Sequence, residues 1–443
     1  MKNEDFNFQP EIKSGYLVSG EIKKLWYVQL DLLRKFDEMC KEVGIVYYAQ
    51  GGTLLGAVRH NGFIPWDDDI DIMMLWDDYK KMLKVAPEYF HDPYFLQSYL
   101  TEPEGEPTHS RLRRSDTTGC TRFELECITS DQYNKGIFID IFPLFNVPDS
   151  TDDKEKQIAE ILYWWKLYKG YEVHREKQQN GFSKLNKDYD QYEKLYLDLE
   201  TKMSFDDIKQ KYVDACAAYS EYDTEYLAPL SFRANNPKTT WPRNWFSNVA
   251  YVPFENIQLP CPNGYLEMLR FQFGAWEEPV LNGSMHEMGI YDAEESYKTK
   301  LSGIYVREYY SSDYPELLVL LNTIYDSNIS QKDLEEYYLS VDRHILIAVD
   351  KLKLVGCAFL SLNRDYVRNS FTSYVTYLAV DPNHRRRGIA TKLFQEIERI
   401  SKGYGCTAIE LTSADFRTDA HSFYYANNYT RKKTTHFIKE LDL

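Results

Sequence analysis

The chain has 443 residues, of which 43% are hydrophobic and 27% charged, a balance that suits packed domains and excludes a disordered or fibrous chain. That length is generous for one domain and comfortable for two. A formal net charge of -16 repels nucleic-acid phosphates, so general DNA or RNA binding is excluded as a function class.

The first residues, Met1-Lys2-Asn3-Glu4-Asp5-Phe6, are polar where a signal peptide would be apolar. No window approaches the roughly 20 apolar residues of a membrane span. A cytoplasmic protein is expected, with a substrate at the inner face of the membrane still compatible. Over residues 17–43, Leu25, Val28, Leu32, Leu33, Phe36 and Met39 recur at helical spacing. A strand over 45–49 then feeds Gly51-Gly52-Thr53. A glycine turn lets backbone N–H groups approach a phosphate, and it is also an ordinary tight turn.

Next comes Pro65-Trp66-Asp67-Asp68-Asp69-Ile70-Asp71-Ile72. On a strand, residues two apart share a face, so Asp69 and Asp71 point one way and the isoleucines into a core. Two such carboxylates repel by roughly 4 kcal/mol at an effective dielectric near 20. A divalent cation is the usual compensation. Residues 136–143 read as a buried strand holding one acid, Asp140, which is costly there unless paired or bound to metal. Asp69, Asp71 and Asp140 are therefore candidate ligands for Mg²⁺ or Mn²⁺, since hard cations take oxygen donors. An isolated acid run is ordinarily a solvated turn. Here the apolar alternation, the upstream glycines and the third acid favour the metal site. Local bases, Arg59, His60 and the run 111–114 with Arg113 foremost, are candidates to hold a diphosphate. The plain alternative for that run is a surface loop or helix face.

The block from Gly51 to Asp71 resembles the LicD family of phosphotransferases, within the polymerase-β-type nucleotidyltransferase superfamily. The superfamily pattern is a Gly-Gly or Gly-Ser turn, an acid-hydrophobic-acid strand and a third acid on a neighbouring strand. Gly51-Gly52, Asp69-Ile70-Asp71 and Asp140 match it. The stretch from Arg59-His60 through Gly62-Phe63-Ile64-Pro65-Trp66 to the acids is the part specific to LicD proteins. The resemblance runs over residues 20–280 and includes Tyr265-Leu266 to Gly274-Ala275-Trp276. It implies metal-assisted transfer of a phospho-alcohol from a cytidine-diphosphate donor such as CDP-choline to a hydroxyl of a glycan or lipid-linked glycan precursor, such as lipopolysaccharide or teichoic acid. Gly51, Gly52 and Thr53 would contact phosphate oxygens. Arg59 or His60 would stabilise the transferred group, and Asp140 would complete the metal site or accept a proton.

Residues 151–230 read as helices, interrupted near Gln178-Gln179-Asn180-Gly181. The polar stretch 282–300 lacks a core pattern and is taken as the boundary between domains at 1–290 and 302–443. Beyond it, strands are expected over 306–310, 345–349, 354–360 and 373–380, and helices over 316–325 and 333–339. Then Arg385-Arg386-Arg387-Gly388-Ile389-Ala390 precedes an amphipathic helix marked by Leu393, Phe394, Ile397 and Ile400. A strand, a basic glycine turn and a helix N-terminus make an anion site. This stretch resembles the acyl-CoA loop, Arg/Gln-x-x-Gly-x-Gly/Ala, of the GNAT acetyltransferases, through Arg385, Gly388 and Ala390. By that resemblance Leu378, Val380, Arg385, Arg387, Gly388, Ile389 and Ala390 would hold acetyl-CoA, and Tyr424 would protonate the leaving thiolate. A packing aromatic is the plain reading of Tyr424. Arg417 and Asn428-Tyr429 depart from the family pattern, and no general base stands out.

The expected fold is two-domain α+β or α/β: a nucleotidyltransferase-type mixed sheet with helical additions, then a GNAT-type mixed sheet. The expected protein is a bifunctional transferase, combining LicD-type phosphotransfer with N-acetylation of an amine. The alternatives are a small-molecule nucleotidyltransferase joined to an acetyltransferase, and a non-catalytic binding protein on these folds. Seven scattered cysteines without a C-x-x-C pair suggest neither a disulfide framework nor structural zinc.

Overall fold

The computed structural model describes residues 6–102, 105–127, 133–180, 189–200, 203–233, 239–279, 288–339, 342–351, 353–365, 367 and 370–433. The chain divides into two compact units. The first is built on residues up to 308, with 348–354 and 402–405 grouped with it; the second comprises 309–347, 355–401 and the residues from 406.

The apolar repeat at the start of the first unit folds as the helix Gly20–Val43. Ser19 caps it, its hydroxyl accepting from the Ile22 N–H at 3.3 Å. Gly44 ends it at φ 70°, a left-handed conformation that glycine adopts without a Cβ penalty. Leu25, Trp26, Leu32, Leu33 and Phe36 are fully buried in the main core. Each fully buried leucine contributes roughly 1.5–3 kcal/mol before entropy is counted.

The first unit's main sheet has seven strands, and Ile137–Val147 is its hub. Along one edge it pairs in parallel with Asp71–Leu75. It also pairs antiparallel with Ser110–Arg114 and, further along, with Tyr226–Ala228. The hub is buried along almost its whole length, as its β-branched and aromatic run requires. The expected strand over 45–49 is confined to Tyr48–Ala49, which pairs antiparallel with Met73 and Ile72.

The helical segment folds as Thr151–Asn180, Asp190–Glu200 and Phe205–Cys216. Leu167, Tyr168, Tyr196 and Ile208 form its own small core. The break expected near Gln178 runs into 181–188, outside the described residues. Part of the expected boundary, 280–287, is also outside them. The residues that follow are not a bare linker: Met288–Asp292 is a strand paired antiparallel with Thr118–Thr121. Lys300 closes this element onto Asp292 at 2.6 Å.

In the second unit, Arg343–Asp350 and Lys353–Asp365 are strands, and the latter pairs antiparallel with Ser370–Val380. Ser370–Val380 in turn pairs in parallel with Cys406–Leu411. The helix Tyr314–Tyr325 lies where one was expected, while the strand Tyr305–Glu308 falls within the residues of the first unit. The second expected helix is a short turn, Gln331–Asp333, followed by a wide π-type turn, Leu334–Tyr338. The helix Ile389–Gly403 buries Leu393, Phe394, Ile397 and Ile400. Among the described residues, no helix is long and apolar enough to cross a membrane.

Candidate functional site

The hub strand brings chemistry together. Its Asp140 is the register partner of Asp71 on one side and of Arg111 on the other. Residues level with one another on neighbouring strands share a face, so these side chains form a row across three strands. The acid strand begins at Asp71; Asp69 lies just ahead of it rather than on it. Backbone bonds hold the crossing in place: the Asp140 N–H donates to the Ile70 carbonyl at 2.9 Å, and the Gln50 N–H to the Asp71 carbonyl at 3.1 Å.

Gly51 and Gly52 do not form a free-standing turn. They open the helix Gly51–His60, whose N-cap, Gln50, contributes no side-chain bond. A Cβ on Gly52 would lie 2.8 Å from Asp67 Oδ2, and one on Gly51 would lie 3.4 Å from Asp71 Oδ2. The helix N-terminus, where unpaired N–H groups and the positive end of the dipole sit, therefore faces the acids.

Carboxylate oxygens of Asp67, Asp68 and Asp69 lie within 4.8 Å of one another. The trio Asp69, Asp71 and Asp140 does not gather that tightly among the described residues. The reason is visible at Asp140, where Arg111 Nε donates to Oδ1 at 2.8 Å and His109 Nε2 lies 3.0 Å from the same oxygen. Desolvation alone would raise the Asp140 carboxyl, but the Arg111 and His109 charges outweigh it and hold the group below the usual carboxylate range. Asp69 goes the other way: desolvation first, then the charges of Asp71, Asp67, Asp68 and Asp140, push it well up. A crowd of carboxylates whose charge is this unfavourable fits a hard divalent cation, which takes oxygen ligands.

Four other expected residues have different duties. Thr53 is buried, and its hydroxyl accepts from the Asp71 N–H at 2.8 Å, so it fixes the acid strand rather than facing a phosphate. Arg113 is fully buried. Its guanidinium donates to Gln97, to the Gly119 and Gly136 carbonyls and to Glu124, which leaves it inside the domain and out of reach of a diphosphate. Arg59 and His60 sit at the far end of their helix, about 13 Å along the axis from Gly51 at 1.5 Å per residue. There Arg59 donates to His60 Nε2 at 2.9 Å and to the Trp276 carbonyl at 3.0 Å. Burial lowers both groups, and at His60 the charges of Arg59 and Lys13 add to it. They can reach only the distal part of a substrate whose phosphate sits at Gly51.

Sequence reasoning missed His109 and ranked Arg111 below Arg113. The signal was present: His109, Arg111 and Arg113 alternate, so they fall on one face beside Asp140. Arg111 also bonds Glu124 at 2.8 Å, and Glu124 is held in turn by Arg113. His109 stacks on Phe142 with ring centroids 5.0 Å apart.

In the second unit, Ser370–Val380 pairs with Cys406–Leu411 only as far as Val375 opposite Leu411. Among the described residues its continuation, which carries Leu378 and Val380, runs on beyond that pairing, and Thr376 is bulged out of register against Phe359 and Leu360. Arg385 and Arg387 are exposed in the turn, Arg386 and Gly388 have positive φ of 63° and 78°, and Ile389 and Ala390 open the helix. An exposed loop of this shape at a helix N-terminus fits the diphosphate of a coenzyme. Tyr424 is half-buried among Phe394, Phe423 and Tyr429. Burial, then the Tyr325 charge, raises its hydroxyl above the usual range, against the opposing pull of Arg417.

Residues 44–161 match the model of the LicD/FKTN/FKRP nucleotidyltransferase domain, and residues 304–429 match that of the acetyltransferase (GNAT) family. Over 260 residues the chain is 28% identical to the lipopolysaccharide cholinephosphotransferase LicD of Haemophilus influenzae, covering 56% of this chain and 88% of that protein. A shorter match, 49% over 35 residues, joins it to the mouse ribitol 5-phosphate transferase FKRP, with 8% and 7% of the two chains covered. Among solved structures, an aminoglycoside acetyltransferase from an uncultured soil metagenomic sample, in complex with trehalose, is 20% identical and covers 31% of this chain and 97% of its own, with a TM-score of 0.29 that is too low to build on. The chain carries a LicD-type domain in its N-terminal part and a GNAT acetyltransferase domain at its C-terminal end, and it is a transferase.

Proposed function

We propose that this LicD–GNAT chain moves a phospho-alcohol, of the phosphocholine kind, from a cytidine-diphosphate donor to a hydroxyl of a cell-surface glycan or its precursor, and that its second domain acetylates an amine with acetyl-CoA. The observation that carries the first half is the row Asp71–Asp140–Arg111 beside the Asp67–Asp69 cluster, under a glycine-led helix N-terminus. The similarity to a cholinephosphotransferase along most of that protein's length supports the choice of donor.

A magnesium or manganese ion held by Asp67, Asp68 and Asp69, with Asp71 beside them, would neutralise charge on the diphosphate and the departing nucleotide. The chain's own groups do the rest. Backbone N–H groups at Gly51 and Gly52 hold phosphate oxygens beside the Asp67 and Asp71 carboxylates. Asp140, with Oδ1 fixed by Arg111 and His109, stays ionised and orients the attacking hydroxyl by accepting its hydrogen bond. Arg111 is itself held by Glu124, so the acceptor carboxylate arrives pre-aimed.

Incubation with labelled CDP-choline, a divalent cation and a glycan acceptor tests this reading. The expected products are free CMP and an acceptor carrying phosphocholine. Nucleotide retained on the acceptor would assign the chain to nucleotidyl transfer instead.

A further inference from the structure

Around the acetyltransferase domain's pairing break, aromatic rings form a continuous row. Tyr338 meets Phe359 at 5.2 Å, Phe359 meets Tyr377 at 5.7 Å, and Tyr377 meets Tyr325 at 5.3 Å between ring centroids. A guanidinium stands over each end: Arg343 is 5.7 Å from the Tyr338 ring and Arg417 is 5.5 Å from the Tyr325 ring. Both arginines are exposed, as are Tyr377 and the neighbouring Phe416, at 45% and 81%. Nearby Asp415 pairs with Arg431, 3.5 Å away.

The row is tied to the expected site of chemistry. Tyr325 donates to the Leu378 carbonyl at 2.7 Å, on the strand segment beyond the pairing break. Tyr377 follows the bulged Thr376. Arg417 is close enough to Tyr424 to act on its hydroxyl.

Resting on the reading of this domain as an acetyltransferase, we propose that its acceptor is a small amine bearing a phosphate or carboxylate, of the phosphorylated amino-sugar kind. Its apolar ring face stacks on the exposed Tyr377 beside Tyr325, and its anion is held by Arg417. Aromatic faces suit the C–H face of a sugar, and guanidinia suit phosphate and carboxylate. The same guanidinia repel polyamines. In the reaction the neutral amine nitrogen bonds to the acetyl carbon and the C–S bond breaks. The coenzyme thiolate takes a proton from Tyr424, which regains one from solvent as the nitrogen releases its own. The products are the amide and free coenzyme thiol.

Thiol release by the full chain tests this, with acetyl-CoA and paired acceptors: glucosamine 6-phosphate against glucosamine, phosphoethanolamine against ethanolamine, and spermidine. The expected result is a kcat/KM about tenfold or more higher for each phosphorylated amine than for its parent. In Arg417→Gln that preference shrinks through KM. Equal or better use of the parent amines or spermidine, with acetyl-CoA bound, overturns the proposal and leaves the acetyltransferase reading standing. Calorimetry that detects no binding of acetyl-CoA overturns both.

Discussion

Asp140 and Asp69 show how environment divides labour between identical side chains. Asp140, gripped at one oxygen by Arg111 and His109, is held ionised; Asp69, desolvated by burial and crowded by carboxylates, is pushed toward its neutral form. Pairs pulled apart in this way mark functional sites. Removing the imidazole in His109→Ala leaves Arg111 in place, so the fold persists while the carboxylate loses its aim. Phosphotransfer is expected to fall by about 10–100-fold, chiefly in kcat. A change confined to the KM of the nucleotide donor would contradict that assignment. Arg113 separates the two views of the basic run. If Arg113 held a diphosphate at the surface, removing it would weaken donor binding and spare stability. The buried position of Arg113 predicts instead that Arg113→Ala costs roughly 1–3 kcal/mol in urea unfolding, since it leaves Gln97 and the Gly119 and Gly136 carbonyls without their donor while Glu124 keeps Arg111.

At the scale of elements, the sequence made the helix Gly20–Val43 and the hub strand plain, because periodicity and a β-branched run need no tertiary knowledge. It hid the helix at Gly51. Two glycines are poor helix formers, and Gln50 is no usual N-cap, so local chemistry spelled a turn. The glycines are there for the acids. Gly52→Ala should keep or slightly raise the melting temperature, because alanine favours helix by about 1 kcal/mol. Its methyl would displace the Asp67 carboxylate, and activity with Mg²⁺ should collapse. Unchanged turnover would show that the close approach is incidental. The strand Met288–Asp292 was hidden for another reason: its partner Thr118–Thr121 is remote in sequence, and pairing at that distance leaves no local pattern. Burial pulls the Asp292 carboxyl up, but Lys300 outweighs it and the group ends below its ordinary value. A carboxyl depressed on folding stabilises above its unfolded pKa, about 3.9, and that contribution fades as pH falls through the lower folded value. Asp292→Asn should therefore unfold more easily than the wild type at pH 7 by about 1–2 kcal/mol, with the gap closing in acid. A gap that persists unchanged at pH 2 would contradict this ion-pair account.

For the whole molecule, the acid cluster and the basic glycine turn lie in different compact units, and each was legible from a short local motif. What the motifs could not give was the division of roles within a site. Asp69, Asp71 and Asp140 were visible as acids, but the partners that separate Asp140 from the rest come from a strand whose register only the fold sets. Carboxylates under the Gly51 helix are proposed to drive phosphotransfer. The most direct measurement is CMP release from CDP-choline, with Mg²⁺ and a glycan acceptor, by the wild type and by Asp69→Asn and Asp71→Asn, each checked for an unchanged circular-dichroism spectrum. Both variants are expected to lose at least about 100-fold, with acetyl-CoA binding retained. A folded variant that releases CMP at the wild-type rate would contradict it.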